Sequence, residues 1–370
     1  MKQIQTHRAI GMYKLMQRIG DWKAKPMTGK LKSITISSAV AMLLTCTFFV
    51  RAQTKSPPIL IRPTPTTISV KPFRIPSTKP GEEMLVPASE AKGKKIVPAT
   101  KEEAAAAIVD AKAASDEVGK KLHIEFGTIE TNHFLIFTDW DKREYNFLKN
   151  NLEAAYEAVS RQFEIPVANN VFIGKLPVYM FATQEGFMKF AEVIDESPVP
   201  RTVLGYYSHS TSGFGHMTMW KPDVAANEGN VKVAERKWAY TLTHEFTHAF
   251  VARYRTTGFI PRWLNEGIAE FVANNKFPDL DVRDYVKNSS SRRNDIQDIF
   301  EPRYRLVGRD YPVALTMVET MVNGNGKEFL PYFQDLKDGM KPDEALLKHY
   351  KVTSKGLETA WRKYIKTMKN

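Results

Sequence analysis

The 370-residue chain predicts an α+β fold from about residue 123 onward, on three observations. Short apolar runs that read as strands gather between residues 134 and 220. Helical periodicity takes over from residue 231 to the end. The first of those helical stretches, apolar-periodic from about residue 231 to 254, carries two histidines four residues apart, with a glutamate between them.

Each element has its own signal. Phe134-Leu-Ile-Phe137 is an unbroken apolar run, the pattern of a strand covered on both faces. Tyr145–Phe163 places Leu148, Leu152, Ala155 and Phe163 at helical spacing. Leu176–Phe181 predicts a second strand, Gln184–Val193 a short helix, and Gly205–Trp220 a strand pair interrupted by Gly and Ser. Val231–Tyr254 and Pro261–Ala273 predict two helices joined by a turn with Gly258. Lys276–Arg305 is charged and turn-rich and reads as a loop excursion. Tyr311–Val322 predicts a helix closed by Asn323-Gly-Asn-Gly326. Phe329–Leu336, Pro342–Tyr350 and Ser354–Met368 complete a helical tail.

The chemistry sits on the two central helices. His244 and His248 are one turn apart, so both imidazoles leave the same side and can fill two positions of a tetrahedral zinc site. Glu245 projects about 100° from His244, within reach of a water at the metal without being a ligand. Glu266 follows His248 by 18 positions, room for one helix to finish and the next to return a carboxylate as third ligand. Glu270, one turn on, could take the free ring N–H of a ligating histidine. Spacing alone leaves open the reverse assignment, with Glu270 as ligand and Glu266 structural. Asn265 lies beside Glu266 and is grouped with Glu270 among the residues around the ligands.

His244-Glu-Phe-Thr-His248 followed by Trp263-Leu-Asn-Glu266-Gly-Ile-Ala-Glu270 resembles the gluzincin zinc peptidases, the group of thermolysin and aminopeptidase N. The wording of the second motif is close to the peptidase MA-like domains of exported bacterial proteins. The resemblance implies a zincin-like domain: a small mixed sheet, an H-E-x-x-H active-site helix and a C-terminal helical lobe. It implies zinc on His244, His248 and Glu266, with Glu245 as general base and Glu270 behind His244. It also points to a tyrosine near Tyr311 as the donor that stabilises the oxyanion. One departure matters. The G-x-M-E-N segment that holds a substrate amino group in aminopeptidase N relatives is missing. Gly213-Phe-Gly-His-Met217 stands where such an edge strand is expected, without a glutamate. An endopeptidase acting on peptide or protein substrates is therefore the implied activity.

The start of the chain predicts export. Residues 1–32 carry six lysines and two arginines against Asp21 alone, and the uncharged apolar run Ile34–Val50 follows. This is the pattern of a signal sequence, cleaved near Ala52, or of a membrane anchor through residues 34–50 if uncleaved. Residues 1–52 hold nine of the 53 basic and one of the 41 acidic side chains. The remainder carries 44 against 40, too even for a nucleic-acid footprint. Cys46 is the single cysteine and lies in the apolar run, so a cleaved chain has neither disulfides nor thiolate ligands. Gln53–Thr100 has nine prolines in 48 residues and reads as an extended tether. Alanine-rich Lys101–Leu122 is helix-compatible and either packs on the domain or extends the tether. The implied organisation is leader 1–52, tether 53–122 and catalytic domain 123–370.

Tyr206, Tyr207, His209 and His216 lie on the presumed edge strands and are candidates for substrate contact. His123, His133 and His349 read as structural or exposed, and Tyr240 as core packing. A second class of function, an exported binding or structural protein that keeps such a fold, would need no base beside the first ligand. Glu245 is intact, which favours hydrolysis.

Overall fold

The computed structural model describes residues 93–209, 215–280 and 296–368. The leader, the proline-rich stretch through residue 92 and most of the charged excursion after Leu280 lie outside the described residues. Among those that are described, no helix is long and apolar enough to cross a membrane.

Among the described residues, eight α-helices and a five-stranded mixed sheet make up the domain. In chain order they are α1 (Lys101–Leu122), β1 (Gly127–Glu130), β2 (Phe134–Thr138), α2 (Tyr145–Gln162), β3 (Leu176–Phe181), α3 (Gln184–Val193), β4 (Gly205–His209) and β5 (Gly215–Trp220). Then come α4 (Val231–Arg253), α5 (Arg262–Lys276), α6 (Asp310–Lys337), α7 (Pro342–Tyr350) and α8 (Ser354–Thr367). The sheet order is β1-β2-β3-β5-β4. The three inner strands are parallel, and β1 and β4 run antiparallel at the two edges.

Alternation along β2 explains its unbroken apolar run. Phe134 and Ile136 join the core shared with α2 and α4, while Leu135 and Phe137 join a second core with α1 and α3. Alanine-rich α1 packs on the sheet rather than trailing from it, because Val118 and Leu122 complete that second core. Its start is fixed by a capping box between Thr100 and Glu103.

Helix α4 is buried on nearly every side from Trp238 to Val251. Phe246 meets Phe134 with ring centroids 5.2 Å apart, and Phe250 meets Phe163 at 5.3 Å. These contacts seat one side of α4 on the sheet and α2, and turn the side with the histidines toward α5. The chain leaves α4 at Tyr254 and enters α5 after Pro261, whose fixed φ suits a helix entry.

The connection between these helices is held from two directions. Ile96 donates to the Arg255 carbonyl at 2.8 Å and Thr257 to the Lys94 carbonyl at 2.9 Å, so the chain around Lys95 pairs with the turn in an isolated antiparallel bridge to Thr256. From the other side, buried Lys337 at the end of α6 donates to the Val251 and Gly258 carbonyls at 2.9 and 2.7 Å. Arg255 pairs with Asp338 at 2.6 Å.

Asn323-Gly-Asn-Gly326 does break the helix: Asn325 is non-helical (φ −157°, ψ 76°), so α6 consists of two helical halves that meet there at a kink. Buried Met321 and Val322 before the kink and Phe329 and Leu330 after it hold both halves in one core. One expectation changes. The described part of the segment ending at Met217, residues 215–217, is not at the sheet edge, because strand β5 lies between β3 and β4, and β4 is the edge.

Candidate active site

The α4–α5 hairpin builds the site. Every donor that the sequence singles out as a ligand arrives in one place. His244 Nε2 and His248 Nε2 are 3.1 Å apart, and Glu266 Oε2 lies 3.4 Å from the first and 3.2 Å from the second. All three residues are buried. Four donors about 2.0–2.1 Å from a tetrahedral zinc ion stand about 3.3–3.4 Å from one another. The observed triangle of two imidazole nitrogens and one carboxylate oxygen matches one face of that tetrahedron. Such a cluster, removed from solvent, needs a cation or a shared proton among its atoms. The donor set therefore fits zinc.

Electrostatics point the same way. Burial disfavours the His244 imidazolium, but hydrogen bonds to Glu266 and Glu270, and the charges of Glu270 and Glu245, outweigh it and raise its pKa to about 10. In the metal-free protein a proton thus does part of the work of the cation.

The two glutamates on α5 are separated by the structure, although spacing alone leaves them exchangeable. Glu266 faces Nε2 of both histidines, whereas Glu270 Oε1 lies 3.3 Å from His244 Nδ1, the opposite side of the ring. Glu245 lies between the histidines on α4 and is 1% exposed. Tyr311, the second residue of α6, is buried with its ring centroid 6.4 Å from that of His244. Asn265 is buried beside Glu266, but no bond ties its side chain to the triad among the described residues.

The strand candidates are used elsewhere. The Tyr206 hydroxyl donates to Asp195 at 2.6 Å, and His216 Nε2 meets the same carboxylate oxygen at 3.0 Å. Tyr206 belongs to the core on the far face of the sheet from α4, and the His216 ring packs on Phe190 of that core. Alternation along β4 and β5 sends them there. Tyr207 points to the α4 side and is enclosed in its core. Strand β4 includes His209, whose side chain lies outside the described residues. The other histidines among the described residues are structural: His133 bridges Glu153 and the Val167 carbonyl, and His349 bridges Glu328 and Asp335. His123 closes α1 in the left-handed conformation.

One participant escapes sequence reasoning. Tyr240, one turn before His244, donates to Glu270 Oε2 at 2.5 Å. Its position four residues ahead of a ligand was the available signal, but an apolar helix face gives the same spacing.

No curated protein matches the chain. A family model described as collagenase, peptidase family M9, matches residues 143–335, just over half of the sequence. That span covers β3 to β5, both histidines, Glu266 and nearly all of α6. The buried His-His-Glu cluster and this match agree: the chain belongs to the collagenase family M9 and is a zinc-dependent metallopeptidase.

Proposed function

We propose that the protein is an exported zinc endopeptidase in which His244, His248 and Glu266 hold the metal and Glu245 is the general base. The observation that carries this is the triangle of Nε2, Nε2 and Oε2 atoms 3.1–3.4 Å apart, with Glu245 on the same helix between its two histidines. The wording of the two motifs supports placing the domain with the gluzincins and their MA-like members. Export rests on the charged leader and Ile34–Val50, which serve either as a cleaved signal or as an anchor. The organisation we favour keeps a leader at 1–52, a lead-in at 53–122 whose helix α1 is docked on the sheet, and a catalytic domain at 123–370.

Bound zinc supplies the Lewis acidity that polarises the scissile carbonyl and acidifies the attacking water. Glu245 accepts a proton from that water and passes it to the leaving amine, so one carboxylate serves as base and then acid. Glu270 Oε1, 3.3 Å from His244 Nδ1, is in reach to take Nδ1–H, and that contact would fix the tautomer that leaves Nε2 for a metal ion. We assign the donor for the developing oxyanion to Tyr311, a reading supported by its ring centroid lying 6.4 Å from that of His244. Edge strand β4 packs against α4 and offers backbone groups to an extended peptide. The lack of a G-x-M-E-N glutamate favours cleavage within chains over removal of N-terminal residues.

The test is zinc content and proteolysis of casein and of a Gly-Pro-rich peptide, with and without a chelator, in wild type and Glu245→Gln. Wild type should hold one zinc and cleave in a chelator-sensitive way. The variant should keep its zinc while its rate falls by about 10²–10⁴. Equal rates would refute the role given to Glu245. Zinc with no cleavage of any peptide would favour a binding protein that retains the fold.

A further inference from the structure

We infer that Tyr240 is a positioning residue of the metal centre, acting on His244 through Glu270. The inference rests on the ligand assignment above and extends it by one shell of contacts.

Tyr240 and His244 are one turn apart on α4, and Glu266 and Glu270 are one turn apart on α5. The two antiparallel helices therefore meet in two rungs. In one, His244 Nε2 faces Glu266 Oε2 at 3.4 Å, the rung that would hold the proposed metal. In the other, the Tyr240 hydroxyl donates to Glu270 Oε2 at 2.5 Å. A diagonal joins them, from Glu270 Oε1 to His244 Nδ1 at 3.3 Å. The two oxygens of Glu270 thus have separate partners. Tyr240 takes one, so the carboxylate cannot rotate away from the imidazole without breaking a buried hydrogen bond. Tyr240 is fully buried and Glu270 is 1% exposed, so water is not at hand to replace either contact.

The consequence is pre-organisation. The Tyr240–Glu270 rung contains none of the proposed metal ligands, so it does not need zinc to form. It holds the acceptor for Nδ1–H in place, and so holds His244 in the Nδ1–H tautomer with its Nε2 lone pair directed at the ion. Losing the hydroxyl should leave the ligand set intact but loosen one ligand's orientation. That shows in zinc retention and in the imidazole proton more than in substrate affinity.

The experiment uses full-length protein as wild type, Tyr240→Phe, Glu270→Gln and the double variant. Zinc release is followed with a chromogenic chelator, and His244 Nδ1–H by NMR of ¹⁵N-histidine-labelled, zinc-loaded protein. Tyr240→Phe should release zinc about 10–100-fold faster, the scale for losing an outer partner of a ligating histidine. The Nδ1–H resonance should shift or broaden, and kcat should fall with KM nearly unchanged. The double variant should release zinc no faster than Glu270→Gln alone. Tyr254→Phe, which removes the hydroxyl that accepts from Gln334, should behave as wild type. Wild-type zinc release and an unmoved resonance in Tyr240→Phe would overturn the inference, as would losses that add in the double variant. If Tyr240→Phe does not fold, metal-free wild type decides: a slowly exchanging Tyr240 hydroxyl proton supports the rung, and a rapidly exchanging one refutes it. Failure of the ligand assignment itself shows separately, as zinc retained by His244→Ala.

Discussion

Gly267 lies against the Ala314 carbonyl so closely that a Cβ at position 267 would stand 2.5 Å from that oxygen and 2.7 Å from Val318 Cγ2. Position 267 is the residue after Glu266, so the approach of α6 to α5 is set beside a proposed metal ligand. In an open helix Gly→Ala would gain about 1 kcal/mol. Here the obstacle is backbone, which cannot swing aside. Gly267→Ala should instead destabilise by about 1–3 kcal/mol and lower zinc content. Urea unfolding of zinc-loaded protein checks this, and a more stable variant would contradict the packing described.

Alanine in place of His244, His248 or Glu266 should each reduce bound zinc from about one per chain to near none, with activity lost alongside. Thermal stability should fall too, since bound metal favours the folded state. Glu270→Ala should retain measurable zinc, because that carboxylate faces Nδ1 of His244 rather than Nε2. Metal analysis after dialysis distinguishes the two glutamates. Zinc kept by Glu266→Ala and lost by Glu270→Ala would exchange their roles.

Zinc affinity should depend steeply on pH. In the metal-free protein His244 keeps its proton up to about pH 10, held by Glu266 and Glu270 against the penalty of burial. Zinc needs the neutral ring, so binding at pH 7–8 should expel about one proton. Affinity should weaken by about tenfold per unit as pH falls through this range. Calorimetry in buffers of different ionisation enthalpy measures the proton count, and a count of zero would refute it.

Lys337 should leave its own pH signature in the zinc-loaded protein. Burial, helped by nearby Arg253, depresses its pKa to about 7. The neutral amine still has the two N–H groups that the Val251 and Gly258 carbonyls require. A depressed lysine binds fewer protons folded than unfolded between about pH 7 and its ordinary value near 10.4. Its contribution to stability should therefore rise with pH across that window and be smallest below it. The difference in unfolding free energy between wild type and Lys337→Met should grow from pH 7 to 10. A difference that shrinks would reverse the sign and show a retained ammonium.

Local rules made much of this protein legible in its sequence. Helical spacing put His244 and His248 on one side of α4, and 18 further residues allowed a helix to return Glu266. The apolar run of β2 announced a strand covered on both faces, and the bounds of α3, β3 and α7 followed from periodicity and caps. These features depend on neighbours a few residues away, so a one-dimensional pattern suffices. Contacts between distant segments needed the fold. Glu266 and Glu270 share a helix face, and only the placement of α5 beside α4 gave them different sides of His244. Tyr240 read as packing until the same placement set its hydroxyl on Glu270. Tyr206 and His216 read as substrate contacts until sheet order turned them onto Asp195 behind the sheet. The glycines at 324 and 326 read as a helix end, and the helical backbone does break between them at Asn325. Intrinsic preferences of about 1 kcal/mol per residue suffice for that break, whereas the packing of both halves into one core, which sets how they meet, needed the fold.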